Sequence, residues 1–404
     1  MYGLASGALP LGQFVARDGI IDLAWGHPDP ALLPIGGLQR AANAVLARYG
    51  ADALGYGYPT GPGPLIAWLC DHLGAIDGRK PDPEAVLATA GNSQALDQVA
   101  TILTKPGDSV LVEAPTYHLA VRILRDHPLN LVPIPSDEDG MRVEALPGIM
   151  RALRRGGAGL QANGGRSGRP RLLYCVPTFN NPTGASLPPE RRRQLVEFAA
   201  EAGIVIVEDD AYGELAYDAP RPPSLWSLAP PGVVVRLGSF SKSLAPGLRA
   251  GFLTADAAIV ERFRDSGQLD SGGGVSHFSS LVVAEFARSG DYSANVARLR
   301  AAYRERRDAL LDALGESSRP ALDWRRPGGG YFAWVALPAG TDARVLLRKA
   351  EAAGVGFMTG PSFYAGPIPS AATGRIRLAF TRYGPEALIE AGRRLLAVLD
   401  LAAG

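Results

Sequence analysis

Short apolar runs alternate with helix-length segments through the middle of this 404-residue chain, and that alternation constrains its fold more than any other feature. Strands are expected at Val86–Ala90, Ser109–Glu113, Leu129–Ile134, Arg171–Val176, from Gly203 into Glu208-Asp209-Asp210, at Val233–Leu237 and at Gly251–Thr254. Helices are expected at about Leu38–Tyr49, from near Pro64, up to about Leu103, at Val143–Arg155, at Pro188–Ala202 and from about Ala257 to Leu314. Alternation of this kind builds an α/β fold. The length exceeds the usual size of one domain, so two domains sharing a cleft are expected. With 47% hydrophobic and 20% charged residues the chain can bury a large core. A net charge of +1 gives no electrostatic case for nucleic acid or an anionic membrane. No apolar run approaches transmembrane length and no basic segment precedes an apolar run at the start, so a cytoplasmic protein is expected. Cys70 and Cys175 read as buried small apolar side chains. No metal site is expected.

One lysine sits at a strand end. Lys242 lies in Ser239-Phe-Ser241-Lys-Ser-Leu-Ala-Pro-Gly-Leu-Arg249, directly after Val233–Leu237, and the stretch holds no carboxylate to neutralise it. The chain has only four lysines among 41 Lys and Arg residues. Lys80 and Lys105 precede prolines in turn-like stretches, and Lys349 sits in a charged helix. An amine without a paired carboxylate loses its proton more easily, and the neutral amine attacks a carbonyl to form a Schiff base. Strand ends are where α/β sites form.

Other strand ends carry binding groups. Gly91-Asn92-Ser93-Gln94-Ala95-Leu96 is a glycine turn entering a helix, which offers free N–H groups and a favourable dipole to an anion. Ser93 adds a hydroxyl, although Asn and Ser are also ordinary N-caps. Glu113-Ala-Pro-Thr-Tyr117 puts an aromatic at a helix start, and His118 beside it could face a site instead. Pro177-Thr-Phe-Asn-Asn181-Pro-Thr-Gly184 follows the fourth strand. Buried acids such as Asp209 and Asp210 need partners, and in an extended strand the two point to opposite faces. In Gly374-Arg375-Ile-Arg377-Leu-Ala-Phe380 alternation puts both arginines on one face, so periodicity does not separate them.

Taken together, Ser-x-Ser-Lys-x-x-x-Pro-Gly-x-Arg, Asn-Pro-Thr-Gly, Asp-x-x-Tyr and Ile-Arg-Leu-x-Phe, in this order from about Asp22 onward, resemble the fold-type-I aminotransferases of class I/II, which use pyridoxal 5′-phosphate (PLP). Spacings of 28 residues from Asn181 to Asp209 and 33 from Asp209 to Lys242 are similar to those of the branch with kynurenine and aminoadipate aminotransferases. The resemblance implies a three-layer, aspartate-aminotransferase-like large domain with a mostly parallel sheet and a smaller α/β domain. It implies boundaries at 1–39 (arm and part of the small domain), 40–275 (large PLP domain) and 276–404 (interdomain helix and small domain). The function implied is transfer of an amino group between an L-amino acid and a 2-oxo acid through an aldimine at Lys242.

The resemblance assigns roles residue by residue. Lys242 forms the Schiff base and serves as general base. Asp209 pairs with the pyridine nitrogen, Tyr117 stacks on the ring, and Asn181 and Tyr212 reach its 3′-oxygen. The phosphate falls to Ser93 and Gln94 and to the candidates Ser239, Ser241 and Arg249, of which Arg249 and Ser239 are preferred. Tyr56, matched by Tyr56-x-x-x-x-Gly61-x-x-x-Leu65, reaches the neighbouring subunit's phosphate, with Tyr58 as runner-up, which makes a homodimer with shared sites. Arg377 binds the substrate α-carboxylate, with Gly26 and Asn181 close to the substrate. Trp25 and Tyr58, with Tyr2, Leu4 and Phe14, could line a side-chain pocket. Partners are therefore amino acid and 2-oxo acid, not nucleic acid or membrane.

Two other functions keep the same motifs. One is a PLP enzyme of specialised metabolism that eliminates, cyclises or oxidises; the run Gly272–Gly274 and His277, which reads as a helix start, are the departures from the family pattern at which to look for it. The other is a ligand-sensing domain of a regulator, for which the pattern's start near residue 22 leaves no room for a DNA-binding domain. The first 20 residues are expected to form an arm, and 156–170 a surface loop.

Overall fold

The computed structural model describes residues 16–155, 170–316 and 322–403. The expected arm, apart from its last few residues, the expected loop after Arg155, and Tyr2, Leu4 and Phe14 lie outside the described residues. The strands are, in chain order, β1 (Ile21–Asp22), β2 (Val86–Thr89), β3 (Ser109–Ala114), β4 (Asn130–Asp137), β5 (Gly140–Met141), β6 (Leu172–Cys175) and β7 (Val205–Asp210). They continue with β8 (Val234–Ser239), β9 (Gly251–Thr254), β10 (Asp323–Trp324), β11 (Phe332–Ala336), β12 (Val355–Gly356), β13 (Met358–Thr359) and β14 (Arg375–Ala379).

Eight of them form one sheet in the order β2-β9-β8-β7-β6-β3-β4-β5. The neighbours β8, β7, β6, β3 and β4 run parallel, while β9 and β5 are antiparallel to their partners. β3 and β6 are buried along their whole length, as parallel strands covered by helices on both faces must be. Buried on both faces, they carry runs such as Val110-Leu-Val112 and Leu172-Leu-Tyr-Cys175 instead of alternation. Because the central strands are parallel, their C-terminal ends lie along one edge of the sheet.

A second sheet, β10-β11-β14-β13, is antiparallel. Helices Ala343–Ala352 and Pro385–Ala403 accompany it. β1 pairs in parallel with β12, so residues from the beginning of the described chain join the part built from its end. The expected helical stretch from Ala257 is four helices: Ala257–Arg264, Gly267–Gly272, His277–Arg288 and Asp291–Gly315. The glycine run breaks it. Gly273 and Gly274 have φ of +62° and +86°, and a Cβ on them would stand 2.5 Å from the Gly57 carbonyl oxygen and 2.3 Å from that of Tyr58. Only glycine lets these two backbones meet so closely. Among the described residues no helix is long and apolar enough to cross a membrane.

Candidate active site

Five strand ends deliver the site. β7 carries Asp209 on the face opposite to Glu208 and Asp210, as the two-residue period requires. Asn92 Nδ2 donates to Asp209 Oδ1 at 2.6 Å and the Tyr174 hydroxyl donates to Oδ2 at 2.7 Å. Burial raises the Asp209 pKa, and these two hydrogen bonds oppose the rise by favouring the ionised form. Asp210 faces the other way, into a buried cluster with Arg236 (2.6 Å), Arg221 (2.9 Å) and Asp77, which itself accepts from Arg236.

Lys242 follows β8. Its Nζ donates to the Gly26 carbonyl at 2.9 Å and lies 5.2 Å from the centroid of the Tyr331 ring. The Tyr331 hydroxyl in turn donates to the Lys242 carbonyl at 3.0 Å. Burial, reinforced by the positive charge of Arg377, brings the Lys242 amine down to about 8, although Asp209 pulls the other way. The loop holding Gly26 is closely packed: a Cβ there would come within 2.5 Å of the Phe332 ring. His27 beside it is pushed down to about 4 by burial and by the Lys242 charge.

Arg377, on β14, closes the cleft. It is 2% exposed. Its guanidinium lies 4.1 Å from the Phe332 ring centroid and 4.9 Å from that of Phe363. One Nη donates to Asn181 Oδ1 at 2.7 Å, and the other to the Ala24 carbonyl and to Met358 Sδ. Its Nε is buried with no hydrogen-bond partner among the described residues. Burial lowers its pKa to about 10, so it stays cationic at neutral pH. Asn181 follows β6 in a loop pinned by Glu113, whose Oε2 accepts from Val176 N (3.0 Å) and Asn180 Nδ2 (2.9 Å). Burial holds the Glu113 carboxyl up at about 7 against those bonds.

Tyr117 and Tyr212 complete the aromatic walls. Tyr117 is half-buried, and burial, with the charge of Asp209, raises its hydroxyl to about 12. Tyr212 is buried near Asn181 and packs against Tyr331 and Phe332. His118 stands edge-on to Tyr117 and to Phe363, and burial lowers it to about 4. Trp25 lies tilted against His27.

The expected anion end is built from the start of helix Asn92–Leu103 and from Arg249. Gly91 caps the helix at φ +87°, and a Cβ there would meet Arg249 Nη2 at 2.9 Å. Arg249 is exposed, in a left-handed conformation, and donates to the Ala90 carbonyl at 3.0 Å. Ser93 is exposed in the first helical turn. Gln94 folds back to accept from Ala90 N at 3.1 Å, and its Nε2 is buried without a partner among the described residues. Ser239 Oγ accepts from Ser241 N at 3.1 Å.

Tyr56 is not gathered into the cleft: it is 89% exposed, and Tyr58 is 74% exposed. The segment between them packs on the glycine run and on His277, the first residue of its helix, whose Nε2 is 3.2 Å from the Asp52 carbonyl oxygen. Ser276 Oγ ties that region to the Arg249 carbonyl at 2.8 Å.

Sequence reasoning did not single out Asn92 and Tyr174 as holders of Asp209. Asn92 was visible as a residue of the glycine turn, but only as an ordinary cap. Tyr174 gave no local signal, since it reaches Asp209 across two paired strands.

The donor set fits the implied cofactor. A cationic, N–H-rich pocket without room for a Cβ suits a phosphate. A buried carboxylate held by two neutral donors suits a protonated ring nitrogen, and a lysine with a lowered pKa lies between these ends. The unpartnered Nε of Arg377 is suited to a substrate carboxylate.

The family model for "Aminotransferase class I and II" matches residues 20–391. The chain is 33% identical to aromatic-amino-acid aminotransferase 1 of Thermococcus litoralis over 97% of this chain and 91% of that one. It is 34% identical to 2-aminoadipate transaminase of Thermus thermophilus over 97% and 93%. The solved structure of Pyrococcus horikoshii kynurenine aminotransferase in complex with PMP superimposes with a TM-score of 0.87 at 32% identity, covering 96% of this chain and 92% of that one. The chain therefore belongs to the class I and II aminotransferases, on the branch of the kynurenine and aminoadipate enzymes, and is a PLP-dependent enzyme that transfers amino groups.

Proposed function

We propose that Lys242 carries the cofactor and is the base of the transamination, and that Arg377 holds the α-carboxylate of the amino acid. The observation that supports this most is Arg377 itself: a buried guanidinium between two phenylalanines, bonded to Asn181, with Nε left free, close enough to Lys242 to depress its pKa. PLP, when bound, supplies the electron sink that makes the Cα proton of an amino acid removable. Asp209 faces the ring nitrogen, Tyr117 the ring face, and Asn181 and Tyr212 the 3′-oxygen. Ser93, Gln94, Ser239, Ser241 and Arg249 hold the phosphate. Lys242, with a pKa of about 8, is neutral in a large enough fraction near pH 7–8 to take the Cα proton, which is where a general base works best. Gly26 positions the Lys242 amine and flanks the substrate.

The exposed Tyr56 supports a homodimer in which it reaches a second copy's phosphate, so that the site is shared across a two-fold axis. The division at 39/40 and 275/276 belongs to this reading, with the eight-stranded sheet in the large domain. Two free, buried cysteines suit a reducing cytoplasm and a role in amino acid metabolism or biosynthesis. Relatives named for aromatic amino acids, 2-aminoadipate and kynurenine support a donor with a long or aromatic side chain.

The test is a half-reaction. PLP-loaded protein is mixed with single amino acids, without oxo acid, and pyridoxamine phosphate is quantified. Wild-type protein yields it with such a donor; Lys242→Ala does not. A wild-type rate in Lys242→Ala sinks the proposal.

A further inference from the structure

A crevice of about 810 Å³ separates the end of β4 from the four-stranded sheet. None of Lys242, Asp209, Tyr117, Asn181 or Arg377 lines it. Its volume is that of a small-molecule site. On the four-stranded side it presents three half-buried rings, Trp324, Trp334 and Tyr364, together with Arg375. On the other side it presents Ser136 and the acidic turn that follows.

Two groups there are unused. Arg375 shares a strand face with Arg377. Whereas Arg377 is fully engaged apart from Nε, the side chain of the half-buried Arg375 makes no hydrogen bond or ion pair with any described residue. Ser136 Oγ is buried without a hydrogen-bond partner among the described residues. A free guanidinium binds a carboxylate in a two-pronged fashion, and a buried hydroxyl without a partner costs free energy until one arrives. The rings supply flat apolar area for a planar ligand. The carboxylates nearby do not cancel Arg375: Asp137 is already paired with Arg191 at 2.7 Å, and Glu138 and Asp323 are exposed at the mouth, where solvent screens them.

We propose that this crevice binds an aromatic monocarboxylate as an effector, its carboxylate on Arg375 and its ring among Trp324, Trp334 and Tyr364. The ligand spans the two sides that together make the active site, one supplying Lys242 and Asp209 and the other Arg377. Trp334 is opposite Arg377 in strand register and packs edge-on against Phe363 at 5.6 Å, and Phe363 covers the Arg377 guanidinium. Across the same mouth Arg325 donates to Asp139 at 2.6 Å, an exposed and therefore weak tie that a bridging ligand supplements. Occupancy fixes the spacing of the two sides and so lowers kcat.

The probe is indole-3-acetate, which has neither an amino nor an oxo group to transfer. It is titrated calorimetrically into PLP-loaded wild type, Arg375→Ala, Ser136→Phe and Arg377→Ala, and assayed as an inhibitor at rising donor concentration. The expected result is an inhibition component that saturating donor does not relieve. Arg375→Ala and Ser136→Phe weaken the corresponding binding about tenfold or more, as loss of a charge-paired contact or of space requires. Arg375→Ala keeps its uninhibited kcat, and Arg377→Ala keeps the calorimetric site. Inhibition fully relieved by donor, wild-type affinity in Arg375→Ala, or binding lost only in Arg377→Ala overturns the proposal. Calorimetry needs no turnover, so its outcome is independent of the roles assigned to Lys242 and Arg377.

Discussion

Asn92 and Asp209, 117 residues apart in sequence, meet side chain to side chain at 2.6 Å. The contact ties the first turn of the helix that offers its N-terminus to an anion to the carboxylate at the end of β7. With Tyr174 on the other oxygen at 2.7 Å, both oxygens of Asp209 are fixed in direction, and the two hydrogen bonds oppose the rise in pKa that burial causes.

Removing either donor is expected to slow turnover. Asn92→Ala and Tyr174→Phe each lose a hydrogen bond to a charged group, about 1.5–3 kcal/mol, or about 10- to 150-fold in kcat. Asp209→Ala costs about 10²–10³-fold, the scale for losing a preorganised electrostatic group. Steady-state kinetics with KM resolved from kcat check the order; equal rates in Tyr174→Phe and wild type would remove Tyr174 from the argument.

Arg377→Ala is expected to act on substrate binding. Truncating one partner of a buried charge-paired contact costs about 2–5 kcal/mol, so KM for the amino acid rises about 30-fold or more. A defect confined to kcat would contradict the assignment of Arg377 to the carboxylate. Arg375→Ala, on the same strand face, leaves KM unchanged in the absence of an effector.

Lys242 gives the apoprotein a pH-dependent stability. Its folded pKa, about 8, lies below the ordinary 10.5. Between these values the unfolded chain binds more protons, so stability rises with pH across this window. Below about 8 the full cost of the buried charge is present; above 10.5 it is gone. Lys242→Met removes the term, so its advantage over wild type shrinks by about 2 kcal/mol between pH 7 and pH 9.5. Urea melts of the apoproteins at the two pH values measure it, and a constant difference refutes it.

Arg236 is expected to matter for stability. It is 1% exposed and bridges the carboxylates of Asp77 and Asp210, which are also buried. Arg236→Ala strands two charges that Arg221 alone serves, at a cost of about 3–5 kcal/mol. A fall of about 4–6 °C in Tm is expected, read by thermal melting; a Tm within a degree of wild type would show that the cluster relaxes.

The sequence by itself determined the architecture and the inventory of chemistry. Apolar strands separated by helices dictate a parallel sheet, a parallel sheet gathers its C-terminal strand ends at one edge, and Lys242, Asp209, Asn181 and Tyr117 are all written at such ends. Alternation alone sent Asp209 and Asp210 to opposite faces. What it left open depended on pairing between distant segments. Arg375 and Arg377 are equivalent to any two-residue period; they differ because Phe332, Phe363 and Asn181 enclose one and a crevice receives the other. Tyr174 reaches Asp209 only through the β6–β7 register. Asp77 meets Arg236 at a separation of 159 residues, and Gly273 and Gly274 gain their meaning from the backbone of Gly57 and Tyr58. Periodicity fixes which way a side chain points, whereas only the closed tertiary packing decides what it finds there.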